Sequence, residues 1–582
     1  MKTYLHNLKI LFNRQDFCRF GILLLLLLGE TAWEVLTLSA IPAFISILTG
    51  RLALPPFLVQ FCPSISSLTS EQLVAPAIVT MLVLFLLRLL YIMVSRYVLT
   101  RIIRHRAIAL SSRVFTAHLQ APYSLFLQRN SSEMLNSVLR ECELATDLVA
   151  SSLNVLRSSV IILAVSVLLL VLQPLLASMS ILLLGILAGS ILWLRGRTLG
   201  RQGAIEDFCR QQALQTATES FGAVKEAKLY GCQSFFFSRL HGLLEKIHGA
   251  KASKNLSYAL VWPTLELLTL AALFSAFLLT LCLTGQGASE LLPGLALVTI
   301  AITRIRTAMA EITYGCHDIA YAREPFLKVG KVLQELEPLA ETSAAGEPLA
   351  EPRQLILQHL TYTYPGSDAP SLQDISLTLE FHKSYGFIGP TGAGKSTLLD
   401  ILLGLLRPEA GQILLDGHPL QDNLDGWQRQ LGYVPQSIFL CDDTIRANVA
   451  LGIPEGEVDE TLLWQALDSA QLGAFVRSLK NGLETRVGER GVRLSGGQRQ
   501  RLGIARALYR QPRVLLFDEA TSALDSDTEN ALAEAVDSLK GRHTILIVAH
   551  RPSTIRHCDM IFRLENGRLT DSGGFDKFFN QG

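Results

Sequence analysis

Charge is scarce in this chain. Only 18% of its 582 residues are Asp, Glu, Lys or Arg, against about 25% in an ordinary soluble domain. That shortage, beside 49% hydrophobic residues, excludes a disordered or solvent-coating protein. Neither sign is in excess: 52 Lys and Arg face 51 Asp and Glu, a formal net charge of +1. A nucleic-acid binder acting through bulk positive charge is excluded on that count, and no nucleic acid is expected as a partner. Paired cysteines are also missing. The nine cysteines, scattered from Cys18 to Cys558, include no CxxC pair and no Cys/His cluster, so neither a disulfide framework nor a structural zinc site is expected. The length suffices for three or four ordinary domains, or for a membrane half joined to a soluble half. The low charge favours the second.

Apolar runs supply the membrane half. Lys2, Lys9, Arg14 and Arg19 precede Ile22–Leu28 as in a signal peptide, but the apolar pattern continues through Trp33 to Leu48 with no small-residue cleavage site. It reads as a first spanning helix, about 17–48. Five more stretches follow, about 74–94, 154–172, 175–195, 258–283 and 289–308. Each can cross, or complete a crossing of, a ~30 Å core, for which ~20 residues suffice. Gln173-Pro174 reads as a tight external turn. Seven arginines lie from Arg96 to Arg140, and ten lysines or arginines from Arg195 to Lys254, whereas 49–73 and 284–290 hold only Arg51. The positive-inside rule then puts both termini and both basic segments in the cytoplasm. From Val74 to about Leu119 no strong breaker intervenes, so that helix should run ~70 Å, far beyond the hydrocarbon. The basic segments are expected to turn near Ala121-Pro122-Tyr123 and Tyr230-Gly231. Phe126 and Phe235–Phe237 flank those turns and make them candidate knobs for docking on another domain.

Beyond Phe326 the pattern changes. Glu341–Pro352 is a polar, Ala/Pro/Gly-rich linker, and residues 353–582 alternate short apolar strands with helices, an α/β pattern with a largely parallel sheet. Strands read at 355–360, 375–379, 385–388, 413–415, 431–434, 514–517, 544–548 and 560–563. The third runs into Gly389-Pro390-Thr391-Gly392-Ala393-Gly394-Lys395-Ser396-Thr397 and then a helix, the GxxxxGK[ST] phosphate loop in its strand–loop–helix context. Its glycines let backbone N–H groups curl around a β-phosphate, and the helix N-terminus adds a favourable dipole. Lys395 is expected to reach the β and γ oxygens, and Ser396 to ligate Mg²⁺. Val514–Phe517 ends in Asp518 and Glu519, at the carboxyl end of a core strand where α/β sheets bind ligands. Asp518 is expected in the Mg²⁺ shell, and Glu519 beside the attacking water. His550, just past strand 544–548, is a candidate γ-phosphate contact. The expected fold class is a membrane α-helical domain of six spans with long cytoplasmic extensions, 1–340. Linker 341–352 joins it to an α/β P-loop domain, 353–582.

Leu494-Ser495-Gly496-Gly497-Gln498, followed by Arg499, Arg501 and Arg506, resembles the signature of ATP-binding-cassette domains, and the likeness covers roughly 355–580. The resemblance implies several roles. Tyr364 would stack on adenine, and Gln436 of the Q-loop would approach the Mg²⁺. Ser495–Gln498 would close over ATP held by another cassette, and Ser522–Asp525 would form the D-loop. His550 would belong to the switch loop. Thr485–Gly491 is similar to the X-loop of exporters. One cassette per chain implies a second copy. Because Glu519 and His550 are both unsubstituted, the expectation is a homodimer in a bacterial inner membrane, hydrolysing two ATP with Mg²⁺ and switching its cavity from inward to outward facing.

Charges inside spans are costly and mark candidate sites. Glu34, Arg88, Glu266 and Arg304 lie about 14–17 residues from the outer ends of their spans, ~21–26 Å deep, with Arg306 just beyond. Two readings stand. The charges pair, Glu34 with Arg88 and Glu266 with Arg304, or the arginines snorkel inward. Alternatively Glu34, Arg88, Arg304 and Arg306 line a partly cationic cavity able to receive an anionic head group such as a pyrophosphate. Arg88 with the arginine-rich second helix, Gln128–Glu133, Arg304 with His317-Asp318, and the apolar loop Leu54–Phe61 resemble the bacterial lipid-linked oligosaccharide flippases of protein N-glycosylation. That resemblance implies a polyprenyl-pyrophosphate oligosaccharide as cargo. Another amphiphile, such as a lipid A-type lipid, drug or peptide, is the alternative.

Overall fold

The computed structural model describes residues 2–48, 70–172, 174–284, 288–340, 349, 351–519, 537, 539–549 and 551–579. The chain divides into two compact units, Met1–Ala121 with Arg129–Ala340, and Pro122–Gln128 with Glu341–Gly582.

The first unit is helical: α1 (Lys2–Leu11), α2 (Arg14–Leu48), α3 (Ser70–Leu119), α4 (Ser131–Asn136), α5 (Cys142–Leu172), α6 (Pro174–Gly222), α7 (Val224–Leu229), α8 (Gln233–Thr284), α9 (Ala288–Tyr321) and α10 (Arg323–Leu336). Among the described residues, Arg14–Ile41, Val74–Leu119, Ser131–Val171 and Gln233–Cys282 are long and apolar enough to cross a membrane. The other two stretches read as spans fall on α6 and α9. Residues 49–69, 173 and 285–287, read from sequence as external turns and loops, lie outside the described residues. The unbroken helix expected from Val74 to Leu119 is α3, 50 residues long. Leu82, Leu86, Leu89, Leu90 and Met93 on α3 are each more than half exposed, as suits a helix that faces lipid or another helix rather than water. Leu38, Val165, Leu169, Val261, Leu265, Ala272, Val298, Ile302 and Ile305 form the core joining α2, α5, α8 and α9.

Glycine permits the close crossings. A Cβ on Gly203 of α6 would stand 2.7 Å from the Tyr321 carbonyl oxygen, and one on Gly315 of α9 would stand 2.4 Å from Val155 Cγ2. Toward the basic segments the packing turns polar. Tyr4 of α1 stacks on Phe326 of α10 at 5.5 Å, and Arg113 donates to both oxygens of Glu337 at 2.5 and 2.8 Å. A π-helical turn, Ser137–Glu141, links α4 to α5. There the Asn136 amide donates to Glu141 and to Asp207, both at 3.1 Å, and Lys328 pairs with Asp207.

The second unit is an α/β domain with ten strands among its described residues. β1 (Gln354–Tyr362), β2 (Leu372–Glu380), β4 (Ala410–Leu415) and β5 (His418–Pro419) form an antiparallel sheet ordered β2-β1-β4-β5. β3 (Ser384–Ile388), β6 (Leu431–Val434), β7 (Val514–Asp518), β8 (Thr544–Val548), β9 (Met560–Glu565) and β10 (Arg568–Gly573) form the second sheet, ordered β10-β9-β3-β8-β7-β6. Every pair in it is parallel except β9 with β10. Strands β3 and β8 are buried throughout, as an apolar run covered on both faces must be. All eight strands read from sequence are present, and β5 and β10 are additional. The knob after Ala121 is the short helix Tyr123–Phe126, which belongs to this unit. Burial, and then Asp400, push the Tyr123 phenol above its ordinary range. The other turn stays in the first unit between α7 and α8, with Tyr230 74% exposed.

Candidate functional site

The parallel sheet delivers the phosphate loop from β3. Gly389 has φ 152°, and a Cβ there would stand 2.1 Å from the Leu564 carbonyl oxygen; at Gly394, φ 95°, it would stand 2.5 Å from Ser371 O. Both positions are closed to any other residue. Gly392 also has positive φ, Thr391 is exposed and Ala393 is buried. Gly394 opens α11 (Lys395–Leu402), which packs Leu398, Leu399, Ile401 and Leu402 into the core. The loop therefore rests on a rigid strand and a rigid helix.

Lys395 is 5% exposed and donates to the carbonyls of Gly389 at 2.9 Å and Pro390 at 3.0 Å. Burial lowers its ammonium below the ordinary range, against the opposing pull of Glu519 and Asp518. Ser396 Oγ lies 3.4 Å from Asp518 Oδ1. Burial, reinforced by Glu519, raises Asp518 above the ordinary carboxylate range. Glu519 follows β7 at φ 46°, its N–H donating to Val548 O at 2.9 Å, and it accepts the Gln436 amide at 2.7 Å. Tyr364 Oη lies 3.2 Å from Thr397 Oγ1, its ring edge-on to Tyr362 at 5.1 Å. Three side-chain contacts, Tyr364 with Thr397, Ser396 with Asp518 and Gln436 with Glu519, thus stand around the loop beside Lys395. His550 and Ser522–Asp525 lie outside the described residues.

Asp400 was not legible as part of this neighbourhood. Burial, with Asp518 near, pushes it up to about 6.

Among the described residues no cluster of three or more His, Cys, Asp or Glu could hold a metal. Mg²⁺ does not need one, since it binds through one or two carboxylates and keeps phosphate oxygens and waters as its other ligands. The hard oxygens of Ser396, Asp518 and Gln436 fit that donor set. When bound, the ion would neutralise charge on the phosphates.

The signature stands at the start of α12 (Gly496–Tyr509). Ser495 caps it: its Oγ accepts from Gln498 N at 3.2 Å, while Gln498 Oε1 accepts from Ser495 N at 2.8 Å, a complete capping box. Gly497 is buried and Gly496 exposed. Before it, Gly488, Arg490 and Gly491 all have positive φ, folding 485–491 back on itself.

Of the two expected couples, Glu34 with Arg88 forms and Glu266 with Arg304 does not. Glu34 binds two guanidiniums, Arg88 and, at 3.0 Å, Arg304. Glu266 pairs with Arg306 at 3.9 Å, not with Arg304, and Arg306 lies over the Trp262 ring at 5.3 Å. Helix rotation, invisible in a count along the chain, decides these partners. One turn from Glu34 a second network went unread. Arg157 Nη1 reaches Glu30 at 2.5 Å, and its other nitrogen reaches Glu311. Ser95 donates to Glu30 at 2.6 Å and Ser158 to Glu311 at 2.5 Å, and Arg96 Nη2 lies 3.3 Å from Glu30. The signal available was Glu30, four residues before Glu34 and so on the same helix face.

The sequence profile described as ABC transporter matches residues 372–522, and that described as ABC transporter transmembrane region matches 36–308. The "ATP-dependent lipid A-core flippase" of Cupriavidus metallidurans is 30% identical over 484 residues, 82% of this chain and 80% of the relative. The "Multidrug resistance ABC transporter ATP-binding and permease protein" of Lactococcus lactis is 42% identical over 246 residues, covering 42% of this chain and 41% of the relative. In fold, the chain matches the structure of a bacterial Atm1-family ABC exporter with ATP bound. The TM-score is 0.80 at 24% identity, over 98% of this chain and 97% of that one. With a membrane region fused to a phosphate-loop domain on one chain, the protein belongs to the ABC exporters and couples ATP hydrolysis to transport across a membrane.

Proposed function

We propose that two copies of this chain form a homodimer in a bacterial inner membrane, both termini cytoplasmic, that flips a lipid with an anionic glycan head. The cargo we favour is a polyprenyl-pyrophosphate oligosaccharide moved from the cytoplasmic to the outer leaflet. One observation carries the reading. Glu34 brings one negative charge against the two positive charges of Arg88 and Arg304, so the cluster keeps an excess of +1. Arg304 is 40% exposed, whereas Arg88 and Glu34 are nearly covered. The neighbouring network has no such excess, since Glu30 and Glu311 balance Arg96 and Arg157. An uncompensated guanidinium at membrane depth suits a phosphate head, which guanidinium nitrogens bind in bidentate fashion.

In the cassette, Lys395 and the loop Gly389–Thr397 hold the ATP phosphates, Tyr364 its base, and Ser396, Gln436 and Asp518 the Mg²⁺. Glu519 and His550 serve hydrolysis, and Ser495–Gln498 close over the nucleotide of the other copy. A lipid A-type cargo is the second reading, favoured by the Cupriavidus relative's name; its phosphates suit the same arginines. Translocation in proteoliposomes with ATP and Mg²⁺ separates the two. Movement of a labelled polyprenyl-pyrophosphate glycan that fails in Arg304→Ala supports the proposal. Movement of lipid A alone, with none of the glycan lipid, overturns the cargo and leaves the exporter standing.

A further inference from the structure

A cleft of about 780 Å³ opens in the first unit between α1, α6, α9 and α10, away from the Glu34 cluster. Phe208, Ile319, Ala320 and Ala204 give it an apolar floor, and Tyr4 closes one side. Arg201, Arg323 and Lys328 supply its cations, Asp207 and Glu324 its anions. These charges are not equivalent. Lys328 is committed to Asp207 and, at 3.5 Å, to Glu141, and Asp207 also accepts the Asn136 amide. Arg201 and Arg323 make no ion pair or side-chain hydrogen bond among the described residues, and both are exposed. That leaves two guanidiniums against the single carboxylate of Glu324. Phe208, 57% exposed, stands beside them.

The depth of the cleft identifies what meets it. Arg201 lies 27 residues along α6 from Pro174, and Cys316, also in the lining, lies 28 along α9 from Ala288. At 1.5 Å per residue both are ~40 Å from the outer ends of their helices. A bilayer with its head groups is ~40–45 Å thick. Two helices independently bring the cleft to the head-group layer of the cytoplasmic leaflet. Arg304 lies 12 residues nearer the outer end of α9 than Cys316, ~18 Å away, so this is a different place from the proposed cargo cluster.

We infer that this cleft binds an anionic glycerophospholipid of the cytoplasmic leaflet, its phosphate on Arg201 and Arg323 and its first acyl methylenes on Phe208 and Ile319. The lipid is a bound companion and not the cargo. The inference rests on the orientation proposed above, with the basic segments cytoplasmic, and not on the identity of the transported lipid.

The test uses the full-length dimer in nanodiscs of dioleoyl-phosphatidylcholine with increasing dioleoyl-phosphatidylglycerol, read by native mass spectrometry. A diazirine-bearing phosphatidylglycerol maps the contact to peptides. Wild type should retain phosphatidylglycerol in preference to phosphatidylcholine, with adducts on 201–208 and 316–324. Arg201→Gln and Arg323→Gln should each weaken retention roughly fivefold, while Arg201→Lys with Arg323→Lys, which keeps the charge, should retain most of it. Inorganic phosphate at ~10 mM, dilute enough to keep the Debye length at roughly 20–30 Å, should not displace the lipid; displacement would mean that a free anion is the ligand and would overturn the proposal. Unchanged lipid preference in a well-assembled double glutamine variant would overturn it too. So would cross-links from 316–324 to a second chain in place of lipid, which would make the face a subunit contact. Labelling of Cys232 by an impermeant maleimide reports orientation separately. A glycan lipid that is not transported leaves the result intact, and loss of lipid binding with transport intact sinks this inference alone.

Discussion

Glu519 occupies a left-handed backbone conformation that non-glycine residues seldom adopt, and its carboxylate is held by the Gln436 amide. A residue kept in such a place by its surroundings is one whose side chain must point a particular way. Glu519→Gln should keep ATP binding and lose turnover by about 10²–10⁴-fold, the usual worth of a positioned general base. Phosphate release beside an ATP-binding isotherm checks it, and near-normal turnover would remove Glu519 from its role. Lys395→Ala should instead weaken binding itself, since a charge-assisted contact contributes ~1.5–3 kcal/mol. Asp400 gives the pH prediction. Its native value of about 6 lies above the ~3.9 of an unfolded chain, so the native state binds the proton more tightly. Stability is then gained as pH falls from above 6 toward 4 and is lower, and flat, above 6. Asp400→Asn should raise the thermal unfolding midpoint at pH 8, reflecting a stability gain on the order of 1 kcal/mol after screening, and the gain should shrink at pH 5. A gain equal at both pH values would show that the carboxylate charge is not responsible.

At the scale of elements, the cassette was readable because its chemistry fixes its spacing. A loop that wraps a phosphate with backbone N–H groups needs Gly389 and Gly394 where a side chain would strike Leu564 and Ser371 carbonyls, and such constraints survive as motifs. Gly389→Ala should therefore disrupt the loop and abolish nucleotide binding even though Lys395 remains, a result that nucleotide titration reads directly. Strand β10 escaped because its residues alternate between exposed and half-covered at a sheet edge, without the apolar run that marks β3 or β8. β5 is only two residues long. In the membrane unit, lengths were legible and rotations were not. A count from the outer ends finds Glu34 and Arg304 at one depth, but only the packed helices show that they meet each other. Arg157 lies inside the stretch 154–172 and was not singled out, although it is 6% exposed and joins Glu30 on α2 to Glu311 on α9. Arg157→Met should strand Glu311, leave Glu30 with Arg96 alone, and destabilise the membrane unit by about 3–5 kcal/mol. Adding Glu30→Gln and Glu311→Gln should restore much of that stability, because both carboxylates are then neutral and the charge that remains, Arg96, is 39% exposed. Unfolding temperatures of the detergent-solubilised variants measure both steps.

For the whole molecule, the question is whether one chain can complete its own site. The phosphate loop, Gln436, Asp518 and Glu519 are joined by hydrogen bonds around β3 and β7. Ser495–Gln498 start a different helix, and their side chains are occupied in capping it. A signature that closes over nucleotide held by a second copy makes every site a product of two chains. Mixing chains that carry Lys395→Ala with chains that carry Ser495→Arg tests this without disturbing the membrane unit. In the mixed dimer one composite site carries both lesions and the other carries neither. Each mutant homodimer has the same single lesion in both of its sites. Subunits tagged differently and purified in tandem should therefore recover up to one intact nucleotide site per dimer, with turnover that neither homodimer shows. Ser495→Ala provides the control for folding, because it loses only the cap, about 1 kcal/mol, and adds no bulk at the interface. Turnover by Lys395→Ala and Ser495→Arg mixtures no higher than that of the two homodimers would mean that sites are not shared in this way. Full activity of the chain as a monomer would mean that they are not shared at all.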